Sequence, residues 1–176
     1  MTFSAGDKAI LRLVAEKHGI TGKKVFQKLC YFLQEAEGVA LGARFRMHYY
    51  GPFSDDLDSQ MADFVSQRVL GVVGSSDGTL VITPGPEFSS ALTGEEPYRE
   101  QVRQVVRNLG GEGGLTLEML ATVHYLAVLQ EYTGSDSDKA ALVERVQAWK
   151  GSKYQPAFIR RGIDDLAAMG YLPSSS

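Results

Sequence analysis

The stretch Arg44-Phe45-Arg46-Met47-His48-Tyr49-Tyr50-Gly51-Pro52-Phe53-Ser54-Asp55-Asp56-Leu57 limits what this chain can fold into more than any other part of it. It follows an amphipathic segment containing Lys28-Leu29-Cys30-Tyr31-Phe32-Leu33-Gln34. Side chains alternate over 44–50, Gly51-Pro52 supplies a turn, and Ser54 with two acids behind it marks a helix start. The order predicted is helix, short strand, tight turn, capped helix. On that strand Phe45, Met47 and Tyr49 share one face and Arg46, His48 and Tyr50 the other, so Tyr49 is expected inward and Tyr50 outward.

The flanking segments extend the pattern. Ser4 with Asp7 forms a capping-box signature, and Ile10, Leu13 and Val14 recur at helical spacing up to His18-Gly19. Thr21 is the expected cap of a second helix, with Val25, Leu29, Phe32, Leu33 and Ala36 as its apolar stripe, ending at Gly38. The helix from Ser54 presents Leu57, Met61, Phe64 and Val65. Two β-branched runs, 69–73 and 79–83, flank Asp77-Gly78 and read as a hairpin. Helix, helix, strand, helix and hairpin is the order of a winged helix.

Pro84-Gly85-Pro86 closes this unit, and Thr93 with Glu96 is the expected start of a helix carrying Tyr98, Val102, Val105, Val106 and Leu109. The run Gly110-Gly111-Glu112-Gly113-Gly114 reads as a flexible linker. Beyond it, Leu117 to Tyr132 is apolar on most faces and predicts a buried helix. Residues 138–149 place Leu142, Val143, Val146 and Trp149 on one side, and 156–169 begin at Pro156 with Ile159, Ile163 and Leu166 inward. These helices, followed by Gly170-Tyr171-Leu172, repeat a helix-turn-helix theme without a full wing.

The expected fold class is therefore mainly α with minor β: a helical protein with winged-helix-like halves and one β-hairpin wing. Residues 1–92 form the winged-helix-like half with the Tyr-Gly-Pro-Phe-Ser turn and 93–176 a helical half, packed together as one compact unit.

Composition narrows function by exclusion. A chain of 176 residues with 44% hydrophobic content buries roughly two-thirds of its unfolded surface, so it needs no covalent staples. The single Cys30 rules out a disulfide within the chain and points to a reducing, cytoplasmic setting. A net charge of -3 with interspersed signs argues against the broad positive footprint of a strong nucleic-acid binder. The N-terminal residues lack a charged region followed by an apolar core, and the longest apolar run is interrupted by His124, so neither secretion nor membrane insertion is expected.

No catalytic set emerges. His18, His48 and His124 are scattered without acidic or thiol partners at ligand spacing, so no metal and no cofactor is expected. A Gly-x-Ser-x-Gly elbow is missing, and Thr21-Gly22-Lys23-Lys24 is not a phosphate loop, because Lys17 stands where the first glycine is required. Asp55, Asp56 and Asp58 crowd a helix start, where they complement the dipole.

Two binding surfaces remain. Lys150, Lys153, Arg160 and Arg161 lie before and along what would be a recognition helix, although Asp164-Asp165 follows one turn later; Lys23, Lys24, Lys28, Arg44 and Arg46 form a second basic set. Large aromatics around Gly51-Pro52 offer contact area at low entropy cost, which makes Arg46, His48, Tyr50, Gly51, Pro52 and Phe53 the candidate protein-contact residues.

The segment Lys28-Leu29-Cys30-Tyr31-Phe32-Leu33-Gln34, followed by Tyr49-Tyr50-Gly51-Pro52-Phe53-Ser54, resembles the Panacea antitoxin domains and their SocA-like and YwgA-like relatives. The likeness is best over 20–85 and looser over Leu117-Glu118-Met119-Leu120-Ala121-Thr122-Val123-His124-Tyr125-Leu126 and Ala167-Ala168-Met169-Gly170-Tyr171-Leu172. It implies a mostly helical protein of winged-helix character that works as an interaction module: an antitoxin that neutralises a toxin, or a proteolytic adaptor. The expectation is a cytoplasmic, non-enzymatic module with a protein partner, no membrane association, and room for homo-oligomers. The rival is a winged-helix transcription regulator that meets DNA through Lys150, Lys153, Arg160 and Arg161.

Overall fold

The structure, a computed structural model, describes residues 2–174, so the last two residues of the predicted C-terminal half lie outside it. It is mainly α, 57% helix, with a three-stranded antiparallel sheet and a separate two-stranded hairpin. Two compact units emerge: the chain up to Arg46 with Phe53–Gly114, and Met47–Pro52 with the chain from Leu115 onward.

In the first unit the Ser4 hydroxyl accepts from the Asp7 amide at 3.0 Å and the Asp7 carboxylate accepts from the Ser4 amide at 2.9 Å, starting α1 (Ala5–Glu16). Ile10, Leu11, Leu13 and Val14 then face the core. The next two residues, Ile20–Thr21, form β1, which the sequence reading missed. Thr21 does not cap α2 (Lys23–Glu35); Gly22 holds the cap position at φ 92, and its amide donates to the Leu80 carbonyl at 2.7 Å. Sheet pairing, not a side-chain cap, sets this helix start. From Phe26 to Leu33 every residue of α2 is buried, because α5 and β1 cover the faces that one apolar stripe would leave open.

Ser54 caps α3 (Asp55–Ser66) as expected and is anchored from behind: its amide donates to the Gln27 side chain at 3.0 Å, and Gln27 donates to its carbonyl at 2.9 Å. Leu57, Met61 and Phe64 point inward, whereas Val65 lies at the surface. β4 (Leu70–Gly74) and β5 (Leu80–Pro84) form the expected hairpin, with Gly78 at φ 86 and Asp77 accepting from the Thr79 amide at 3.0 Å. The sheet order is β1-β5-β4, with Ile82 opposite both Ile20 and Val72. Its third strand is therefore β1 and not the 44–50 segment.

After α4 (Phe88–Ala91), helix α5 begins at Arg99 and not at Thr93. Glu96, the would-be capping partner, is instead clasped by Arg12, which donates to both carboxylate oxygens at 2.6 and 2.7 Å. A charge-assisted bidentate pair outweighs one capping hydrogen bond. Val102, Val105 and Leu109 bury as predicted. The glycine run after α5 (Arg99–Leu109) is a hydrogen-bonded turn and not a loose tether: the Gly110 amide donates to Val106 at 2.8 Å, the Glu112 amide to Leu109 at 3.1 Å, and Lys17 donates to the Gly110 carbonyl.

The second unit is built on α6 (Gly114–Leu129), α7 (Asp136–Lys150), a 3-10 turn (Gly151–Lys153) and α8 (Pro156–Ala168). Leu117 through His124 are buried without a break, as expected of a central helix. Gly162 lets α8 lie close against it, since a Cβ there would run into the Met119 sulfur. Leu142, Val143, Val146, Ile159, Ile163 and Leu166 point inward. Trp149, expected beside them, does not.

Candidate functional site

Residues 44–50 do not form one strand. β2 (Arg46–His48) and β3 (Gly51–Phe53) pair as a hairpin whose two-residue tip is Tyr49-Tyr50, so Gly51-Pro52 opens the second strand and is not the turn. Gly51, at φ 91, takes a backbone angle that side chains resist, and this directs both tyrosines outward. Tyr49 is 75% exposed and Tyr50 50%, their rings edge to face at 4.8 Å. The expected inward Tyr49 is thus corrected: a tip residue has no opposite face of the sheet to occupy.

Beneath this tip lies a group the sequence reading missed. Glu118, on α6, is fully buried. Its carboxylate accepts from Lys150 at 3.3 Å, from Lys153 at 2.7 and 3.0 Å, and from the Tyr154 hydroxyl. Lys150 also donates to the Tyr49 carbonyl at 2.6 Å, and the Lys153 ammonium stands 5.6 Å from the Tyr49 ring centre and 5.0 Å from that of Tyr50. A chain of contacts therefore runs from the buried carboxylate through two lysines to the aromatic tip. A cleft of about 810 Å³ opens beside it, walled by Met47, His48, Tyr49, Trp149 and Ser152 with the two lysines, and Trp149 is 57% exposed.

The sequence carried one legible signal for Glu118. It is a lone acid in an otherwise apolar helical run, and a carboxylate buried there requires cationic partners from elsewhere in the chain. Nothing local identifies those partners, which lie more than thirty residues downstream.

The predicted contact residues divide. Arg46, His48 and Tyr50 are exposed, Phe53 is half-buried, and Gly51 and Pro52 are buried, where they shape the hairpin and offer no contact area. Arg46 pairs with Asp55 at 3.0 Å and Arg44 with Asp56 at 3.2 Å; the latter pair holds the Asp56 carboxyl below its ordinary range. With Lys23 near Asp58 at 3.8 Å and Lys28 buried, the second basic set is not an open cationic surface. The first set also divides: Arg160 and Arg161 are exposed on α8, whereas Lys150 and Lys153 serve Glu118. Asp164 is bound by Lys139.

Burial pushes the Cys30 thiol up, and burial followed by the Glu118 hydrogen bond does the same to the Tyr154 hydroxyl. Among the described residues, no group of three or more His, Cys, Asp or Glu could hold a metal ion.

Burial presses His124 down to about 4 from 6.5, only partly offset by a hydrogen bond with the Tyr171 backbone. Between pH 6.5 and 4 the unfolded chain therefore binds a proton at this residue that the folded chain refuses. Its contribution is complete above pH 6.5 and lost as pH falls toward 4, by about 3 kcal/mol. Urea melts at pH 7 and 4.5 should show a smaller acid loss for His124→Gln than for the parent; equal losses would place that imidazole in solvent.

No family model matches this chain, and no curated protein matches it significantly.

Proposed function

We propose that this chain is a non-enzymatic, cytoplasmic protein-interaction module of the Panacea and YwgA-like kind, acting as an antitoxin or adaptor through the Tyr49-Tyr50 tip and Trp149. One observation carries the reading: three large aromatics stand half-exposed or more, Tyr49 and Trp149 on the walls of one cleft and Tyr50 edge to face with Tyr49. Exposed aromatics set on a braced scaffold are what interface anchors look like, since little freedom is left for binding to remove. The lone buried thiol is consistent with a reducing compartment, and among the described residues no helix is long and apolar enough to cross a membrane.

The first unit supplies the winged-helix part of the reading. Its order is α1, β1, α2, α3, β4, β5 with β5 central in the sheet, and the β2–β3 hairpin is inserted between α2 and α3. That order and the exposed Arg160-Arg161 pair also support the rival, a DNA-binding regulator. Against the rival, the Lys150 side chain is 4% exposed and held by Glu118, which leaves at most three of the four expected phosphate contacts.

The test is co-purification. Tagged parent protein should retain a protein partner from its native cells, and a Tyr49→Ser, Tyr50→Ser, Trp149→Ser variant should lose it while melting normally. Both should bind duplex DNA no tighter than about 10⁻⁴ to 10⁻⁶ M at physiological salt, the non-specific range. Nanomolar binding of a defined duplex, equal in parent and variant, would reverse the ranking.

A further inference from the structure

We propose that the cleft beside the hairpin receives a peptide segment that combines one carboxylate with an adjacent apolar side chain. This names the partner's chemistry and rests on the interaction reading above.

The lining of the cleft is aromatic and basic: Tyr49, Trp149, His48 and the two lysines, with no aspartate or glutamate in its walls among the described residues. The two cations differ in access. The Lys150 side chain is 4% exposed, whereas that of Lys153 is 32% exposed, so Lys153 is the ammonium a ligand can reach. An ammonium has three donors, and among the described residues Lys153 donates to the Glu118 carboxylate alone, which leaves a donor for a second carboxylate on the solvent side. Glu118 already accepts from two ammonium groups and a hydroxyl, so an arriving anion meets positive rather than negative charge. The same ammonium lies over the Tyr49 and Tyr50 rings, and Tyr49 with Trp149 supplies apolar walls for the neighbouring side chain.

Charge decides between a peptide and a nucleic-acid strand. A strand presents a phosphate at every nucleotide and binds through rows of cations, whereas this cleft offers one reachable lysine on a chain of net charge -3. One isolated carboxylate beside an apolar group is the match.

Trp149 is the only tryptophan, so its emission reports directly on the cleft. Random heptapeptides displayed on phage are selected on the full chain, and synthetic copies of the winners are titrated against that emission. The expected winners carry Asp or Glu next to an aromatic or aliphatic residue and shift the emission saturably. Changing the acid to its amide, or Lys153→Gln in the protein, should weaken binding at least about tenfold, and Lys153→Arg should restore most of it. Copies with amidated C-termini separate a side-chain carboxylate from a terminal one. Winners without an acid that still depend on Tyr50 would overturn the carboxylate and leave the interaction reading standing. Failure to recover any peptide that moves Trp149 emission, or tighter binding of a single-stranded oligonucleotide, would overturn the proposal; co-purification then decides separately whether the surface binds protein at all.

Discussion

Glu118→Ala is expected to lower folding stability by about 3 to 5 kcal/mol, the range for breaking a buried charge pair from one side. The variant leaves the Lys150 ammonium, with its side chain only 4% exposed, facing the space where its carboxylate was, and deprives the Tyr154 hydroxyl of its acceptor. Both groups then carry a desolvation penalty, which the Tyr49 carbonyl, still accepting from Lys150, offsets only in part. Glu118→Gln should fall between, since an amide oxygen still accepts from Tyr154 but no longer compensates two ammonium groups. Adding Lys150→Met to Glu118→Ala should recover part of the loss, because the double variant removes the stranded charge along with its partner. Urea melts of the four proteins measure this. A loss under about 1 kcal/mol for Glu118→Ala would mean that both lysines swing into water at little cost, and the hairpin tip would then lack its brace.

The parts of this fold that were legible in the sequence are those whose cause lies within a few residues. The Ser4-Asp7 box, the Ser54 cap, the Asp77-Gly78 turn and the stripe of α8 each follow from neighbours along the chain, and each stands as read. Thr93-Glu96 shows the limit. Its local signal equals that of Ser4-Asp7, yet Arg12 from α1 takes the carboxylate and the helix starts six residues later. β1 is invisible for a related reason: two residues carry no period, and only β5 makes them a strand. Trp149 sits at helical spacing from Val146, but on the last turn of α7, and spacing alone cannot say whether a neighbouring element covers that turn. At the site, aromatic content and stiffness were readable from Tyr49-Tyr50-Gly51-Pro52. The direction of each ring was not, because it depends on whether the turn falls at Gly51-Pro52 or one pair earlier.

That shift in the turn sets the last expectation. Tyr49 and Tyr50 are both tip residues, so Tyr49→Ala and Tyr50→Ala should each leave the thermal midpoint nearly unchanged. Each removes one edge-to-face contact and one cation–π contact with Lys153 at a solvent-exposed position, together about 1 to 2 kcal/mol at most and less after screening by water. Affinity for the co-purifying partner should fall much further, by over about 2 kcal/mol, or roughly thirtyfold, for at least one of them, because truncating a rigid aromatic anchor removes contact area that was already ordered. Gly51→Ala provides the contrast. A side chain at φ 91 strains the backbone, so this change should lower stability and affinity together by re-aiming both rings at once. Calorimetric melts and binding isotherms on the three variants separate the two effects. A midpoint loss for Tyr49→Ala as large as that for Glu118→Ala, with partner binding intact, would mean that the tip serves the core of its own unit and that the partner docks elsewhere.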